Sequence, residues 1–116
     1  MPALNADGGE AGVTQLLDGG PVPTALFCVN DLTALGAMRT LRAHGLRIPD
    51  DMAVVGYDDV NFASMLTTPL TSVRQPIAEM GRIAITLAER AAQDGHVDHV
   101  VLEPDLLLRS STGAVR

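Results

Sequence analysis

Apolar positions along the chain gather into two short unbroken runs and one long periodic stretch. "TALFCV" (24–29) and "MAVVGY" (52–57) are continuous apolar runs of strand length. That is the pattern of strands buried on both faces of a parallel sheet. Between them, "LTALGAMRTLRAHG" (32–45) has a helical period, with Ala34, Ala37, Met38 and Leu41 on one face. Asn30 or Asp31 can cap its start. His44 lies in its last turn, where the negative dipole end favours an imidazole, and Gly45 is a natural stop. Residues 24–57 therefore predict strand, helix, strand, a βαβ unit that requires parallel pairing.

The flanks continue this alternation. "EAGVTQLLDGG" (10–20) predicts a short helix stopped by Gly19 and Gly20. "TSVRQ" (71–75) predicts a third, shorter strand, and Pro76 fits the first turn of a helix running from Ile77 to about Gln93, before Gly95. The apolar arc of that helix holds Ile77, Met80, Ile83, Ala84, Ile85, Leu87, Ala88 and Ala91. It is about 200° wide, against ~100° for an ordinary surface helix, so the helix wants cover on more than one side. "HVVLEPDLLLRS" (99–110) predicts two short strands around Pro104.

Composition narrows the function classes. The 116 residues suit one domain, and 47% hydrophobic content is enough to fold. Aromatics are 3% and Trp is absent, so the core is aliphatic. The net charge is −6, and all eight basic residues are Arg. Binding phosphate backbones needs clustered Lys and Arg, so an acidic chain is a poor nucleic-acid reader. The single cysteine, Cys28, has no intramolecular disulfide partner, which favours a reducing compartment, the cytoplasm. "MPALNADGGE" has neither the basic nor the apolar region of a signal peptide, and no apolar run reaches ~20 residues, so no membrane span is expected.

The candidate chemistry sits at strand ends. Open α/β sheets bind ligands outside the carboxyl ends of their strands. Asn30-Asp31 and Asp58-Asp59 both lie at such ends, within one βαβ unit, and Gln75 ends the third strand. Amide and carboxylate groups together suit a polyhydroxyl ligand, whose neighbouring hydroxyls donate to a carboxylate. For Asp31 and Asp59 the competing roles, a helix cap and a turn, are preferred. For Asn30 and Asp58 cap or turn and ligand group stand level. A phosphoryl-acceptor site would need a cation against the developing charge, and the chain has no Lys. His96 and His99 lack a third metal ligand, and solvated surface histidines are the preferred reading. Cys28 reads as a small buried hydrophobe. Phosphate-loop, dinucleotide and nucleophile-elbow signatures are absent, so no catalytic set, no metal and no cofactor is expected.

"PTALFCVNDLTALGAMRTLRAHGLRIPDDMAVVGYDDV", then "PLTSVRQP", then "LLLRSSTG" resembles the effector-binding domain of LacI/GalR-type bacterial transcription regulators, over about Leu4 to Gly113. The resemblance implies a periplasmic-binding-protein-like, three-layer α/β/α fold of which this chain is the C-terminal lobe. Residues 1–75 and 96–116 would form the lobe core, and 76–95 the helix that in relatives crosses to the N-terminal lobe. A sugar or related small effector would sit between the lobes. Asn30 of "VND", Asp58 of "GYDD" and Gln75 of "VRQP" match positions that line that cleft. Operator DNA would be contacted only through a helix-turn-helix that this sequence does not contain. The helix 77–93 would be covered by a second copy, in a homodimer or by domain swapping. Two alternatives remain: a sugar-binding component of a transporter, and a truncated fragment without independent function.

Overall fold

The computed structural model describes residues 3–113. Among them are three α-helices, α1 (Ala6–Asp18), α2 (Asp31–Ala43) and α3 (Ile77–Asp94). Four short strands join them: β1 (Ala25–Phe27), β2 (Ala53–Val55), β3 (Ser72–Arg74) and β4 (Asp105–Leu107). Two 3-10 turns complete the chain, at Asn61–Ser64 and Ser110–Thr112. The described backbone divides into two compact units, one of residues 3–74 with 106–113 and the other Gln75–Asp105.

The first unit holds the expected βαβ arrangement. β1 and β2 pair in parallel, Leu26 beside Val54. A parallel bridge links Val55 to Thr71, and the Gly56 N–H donates to Thr71 O at 2.9 Å. β3 pairs with β4. The predicted face of α2 is the core: Ala34, Ala37, Met38 and Leu41 are all buried, with Val13, Cys28, Met52, Val54, Ala63 and Leu70 around them. Its ends follow the sequence signals. Asn30 is the cap, accepting from the Thr33 N–H at 2.8 Å, and Gly45 follows His44 with φ 76°. The His44 Nδ1 lies 2.9 Å from Thr40 O, in the last turn.

Four expectations are corrected. β1 is not buried on both faces: Leu26 and Cys28 turn inward, but Phe27 and Val29 stand 65% and 52% exposed. α1 starts at Ala6 rather than near residue 10, capped by Asn5, whose side chain accepts from the Gly8 N–H. Pro76 precedes α3 as its cap residue instead of occupying its first turn. Around Pro104 only one strand forms among the described residues, β4, after the proline.

The early start of α1 has a packing cause. Gly8 and Gly9 are poor helix formers, yet both are buried, Gly8 against the Ala3 backbone and Gly9 where α1 crosses α2. A Cβ on Gly9 would overlap the Thr33 carbonyl oxygen, and one on Gly36 would overlap that of Ala6. The two helices meet backbone to backbone, and only glycine permits that approach. The second unit differs in kind. α3 is eighteen residues long, ends on Gly95 at φ 72°, and has no buried residue. Its Ile77 and Ile85 are each 65% exposed. Asp98 holds the following turn to the helix, accepting from Arg90 at 3.1 Å and pairing with His96 at 2.8 Å. Among the described residues no helix is long and apolar enough to cross a membrane.

The glycine crossing predicts opposite signs for two similar substitutions. Gly36→Ala should lower stability in urea by roughly 1–3 kcal/mol through overpacking. Gly12→Ala, where an added Cβ meets nothing within 4 Å, should raise it by up to about 1 kcal/mol through helix propensity.

Candidate functional site at the strand ends

The carboxyl ends of β1 and β2 are tied together by one backbone bond. The Asp31 N–H donates to Tyr57 O at 3.0 Å. Asn30 and Asp58 therefore lie on the same rim of the first unit. Gln75 opens the second unit, where its carbonyl accepts from the Ile77 N–H at 2.9 Å.

Asn30 is both cap and brace. Besides its cap bond, its Nδ2 donates to Leu4 O at 3.2 Å, holding the segment before α1. The amide keeps one N–H and further lone-pair capacity for another partner. Asp58 stands with φ 106° and Asp59 with φ 52°, two consecutive non-glycine residues in the left-handed region. Such backbone costs of order 1–3 kcal/mol per residue and persists only where the surroundings impose it.

Asp31 is not the cap. Its side chain is completely buried and turns away from its own helix to β3 and the loop at Val60. Oδ1 accepts from the Ser72 hydroxyl at 2.6 Å, and Oδ2 accepts from the Val60 N–H at 2.8 Å. Gly56 is required beside it, since a Cβ there would overlap Asp31 Oδ1. The Ser72 hydroxyl in turn accepts from the Asp59 N–H at 2.9 Å. α2, β3 and the 56–60 loop thus share one buried polar junction.

Asp59 lies in the loop after β2 and binds two arginines. Arg109 Nη2 stands 2.7 Å from Oδ1, and Arg74 Nη2 stands 2.8 Å from Oδ2. Burial alone would raise the Asp59 carboxyl, but hydrogen bonds and charge from Arg109, then Arg74, outweigh it and hold the pKa below the ordinary range. The Cys28 thiol is pushed up to about 11, first by burial and then by the Asp31 charge. It is therefore a protonated, inert core group at neutral pH. Among the described residues no cluster of three metal-ligating side chains occurs.

Sequence reasoning passed over Ser72 and Arg109, and its preferred role for Asp31, the helix cap, gives way to the buried junction. Ser72 and Arg109 lie inside "TSVRQ" and "LLLRSS", and no local pattern shows that two such segments meet.

The periplasmic binding protein-like domain profile matches residues 3–112. The chain belongs to that family. It is 41% identical over 107 residues to the ribose operon repressor of Haemophilus influenzae, covering 90% of this chain and 32% of that protein. Among solved structures, the Lac repressor dimer bound to operator and the anti-inducer ONPF matches with TM-score 0.89 and 35% identity, over 97% of this chain and 34% of that one. The transcriptional regulator CelR in complex with cellobiose matches with TM-score 0.85 and 41% identity, over 95% and 34%. The LacI/GalR resemblance is thereby confirmed. The chain spans about a third of the length of these relatives, and that partial coverage fits the C-terminal lobe of the family's periplasmic-binding-protein-like fold.

The Asp59 shift fixes the sign of a pH effect. A carboxyl with a lowered folded pKa stabilises above its unfolded value, ~3.9 for Asp, and that stability is lost as pH falls through the folded value. Asp59→Asn should therefore lower the unfolding midpoint at pH 7. As pH falls below about 4 the gap between its midpoint and that of the parent protein should begin to close, and it should vanish only below the lowered folded value, as thermal melts across pH will show.

Proposed function

We propose that the chain is the ligand-sensing part of a LacI/GalR-type bacterial transcription regulator, a binding module without catalysis. In this reading residues 1–75 and 96–116 form the core of the C-terminal lobe. Residues 76–95 supply the helix that crosses to the N-terminal lobe. The effector is a sugar or a related polyol, held in an interlobe cleft with Asn30, Asp58 and Gln75 as polar contacts. Operator DNA is contacted by a helix-turn-helix outside this sequence. The working compartment is the cytoplasm.

The observation that carries the reading is the Asp31–Tyr57 backbone bond, which leaves Asn30 and Asp58 on one strand-end rim, where open α/β sheets take ligands. The left-handed backbone at Asp58 supports it, because strain of this kind clusters at ligand-binding positions. Relatives named for ribose and solved with cellobiose support a carbohydrate class.

The test is an NMR titration of the chain with ribose and with cellobiose. One of them should shift the Asn30 and Asp58 resonances with weak, millimolar affinity. Asp58→Ala should weaken that response about tenfold or more, the scale of a lost charged hydrogen bond. A response centred elsewhere, or unchanged in the variant, would remove Asp58 from the site.

The exposed α3 supports a homodimer or domain-swapped pairing. Its apolar arc has no buried residue, and contiguous exposed apolar surface usually marks an interface. Light scattering should give at least twice the chain mass at micromolar concentration, and Ile85→Glu should shift the protein to monomer. A monomer at all concentrations would count against a partner on this helix.

A further inference from the structure

The Asp58–Val60 segment is held by three consecutive amides with three different acceptors. Asp58 N–H donates to Val73 O at 2.9 Å, Asp59 N–H to the Ser72 hydroxyl at 2.9 Å, and Val60 N–H to Asp31 Oδ2 at 2.8 Å. These bonds locate the backbone. The left-handed φ of Asp58 and Asp59 also has to be kept, since a side chain at such φ crowds its own backbone. The Asp59 side chain supplies a fourth restraint, and its two arginines are not equivalent. Arg74 is 56% exposed, so water screens its pairing, whereas Arg109 is 17% exposed.

Arg109 is itself fixed at four points. Nη2 meets Asp59 Oδ1 at 2.7 Å, and Nη1 donates to Leu70 O at 2.8 Å. Its backbone N–H donates to Thr71 Oγ1 at 2.8 Å, and its carbonyl accepts from that hydroxyl at 3.1 Å. The residues just after it are anchored as well. The Ser111 hydroxyl donates to Val54 O at 2.6 Å and accepts from the Thr71 N–H at 2.8 Å, while the Ser111 N–H donates to Pro69 O at 3.0 Å. A guanidinium held this firmly is a fixed fork rather than a mobile surface cation.

We propose that Arg109 is a positioning residue for the ligand rim: through Asp59 it fixes the direction in which the neighbouring Asp58 carboxylate faces. The C-terminal turn, residues 110–112, is thereby coupled to the rim, although it lies about fifty residues away in sequence. This inference rests on the reading that Asp58 meets the effector.

The test uses hydrogen exchange and amide resonances of the ligand-free chain in Arg109→Gln, Arg109→Lys and Asp59→Asn, with the sugar titration run alongside. Arg109→Gln should speed exchange at Asp58, Asp59 and Val60 about tenfold, and shift their resonances. Exchange at Ala37, Met38 and Leu41 in the α2 core should stay within twofold. Arg109→Lys should recover part of the loss, since one ammonium can meet Asp59 but not reproduce the fork. Should Arg109→Gln not fold, Asp59→Asn keeps the shape and weakens the grip, with the same rim-specific result expected. Uniform acceleration across the core and the rim would show a general stability role and overturn the proposal. So would an unchanged rim in the folded variants. Failure of the sugar reading is separable: Asp58→Ala would leave the titration unaltered while the Arg109 variants still loosened the rim.

Discussion

A single buried carboxylate organises the first unit. Asp31 begins α2, and its side chain reaches β3 through Ser72 and the 56–60 loop through the Val60 N–H. Its own N–H takes the Tyr57 carbonyl at the end of β2. Burying a charge without partners is costly, and here both oxygens are bonded. The geometry of helix, strand and loop is therefore fixed together, because moving any one of them would leave a carboxylate oxygen without its donor. Cys28 feels the same charge, which adds to burial in keeping its thiol protonated.

Around this junction, close approach is set by absent side chains. Gly56 leaves room for the Asp31 oxygen, and Gly9 and Gly36 let α1 and α2 touch through their backbones. The core between them is small and aliphatic: Ala34, Ala37, Met38, Leu41 and Val54. A chain with 3% aromatic residues cannot fill gaps with large rings, so density comes from short spacing instead.

Much of the fold was legible because local periodicity and local burial coincide. The α2 face, both parallel strands, the short third strand and the Gly45 and Gly95 stops follow from patterns of four to fourteen residues. The start of α1 was not legible, because Gly8 and Gly9 look like loop residues until the approach of Gly8 to Ala3 and of Gly9 to α2 is known. The outer face of β1 misled for a related reason: an apolar residue states a preference for cover, not that cover is present. At the site, strand-end placement pointed to Asn30, Asp58 and Gln75 from sequence. The roles of Asp31 and Arg109 were hidden, since they depend on contacts with Ser72 and Asp59 that are 41 and 50 residues distant along the chain. Side-chain partners at that separation leave no periodic trace.

The uncovered face of β1 also bears on how the protein behaves in bulk solution. Phe27 projects from β1 and Val29 lies just beyond it, and the second edge of β1 has, among the described residues, no pairing strand. An open apolar edge is a template for adding further strands, and charge is the ordinary defence against it. Here the defence is a net −6, with a pI near 4.7. It weakens under mildly acidic conditions, where mutual repulsion between molecules fades while the sticky edge is unchanged. Colloidal stability of this chain is thus a property of its acidic surface, working against one short strand.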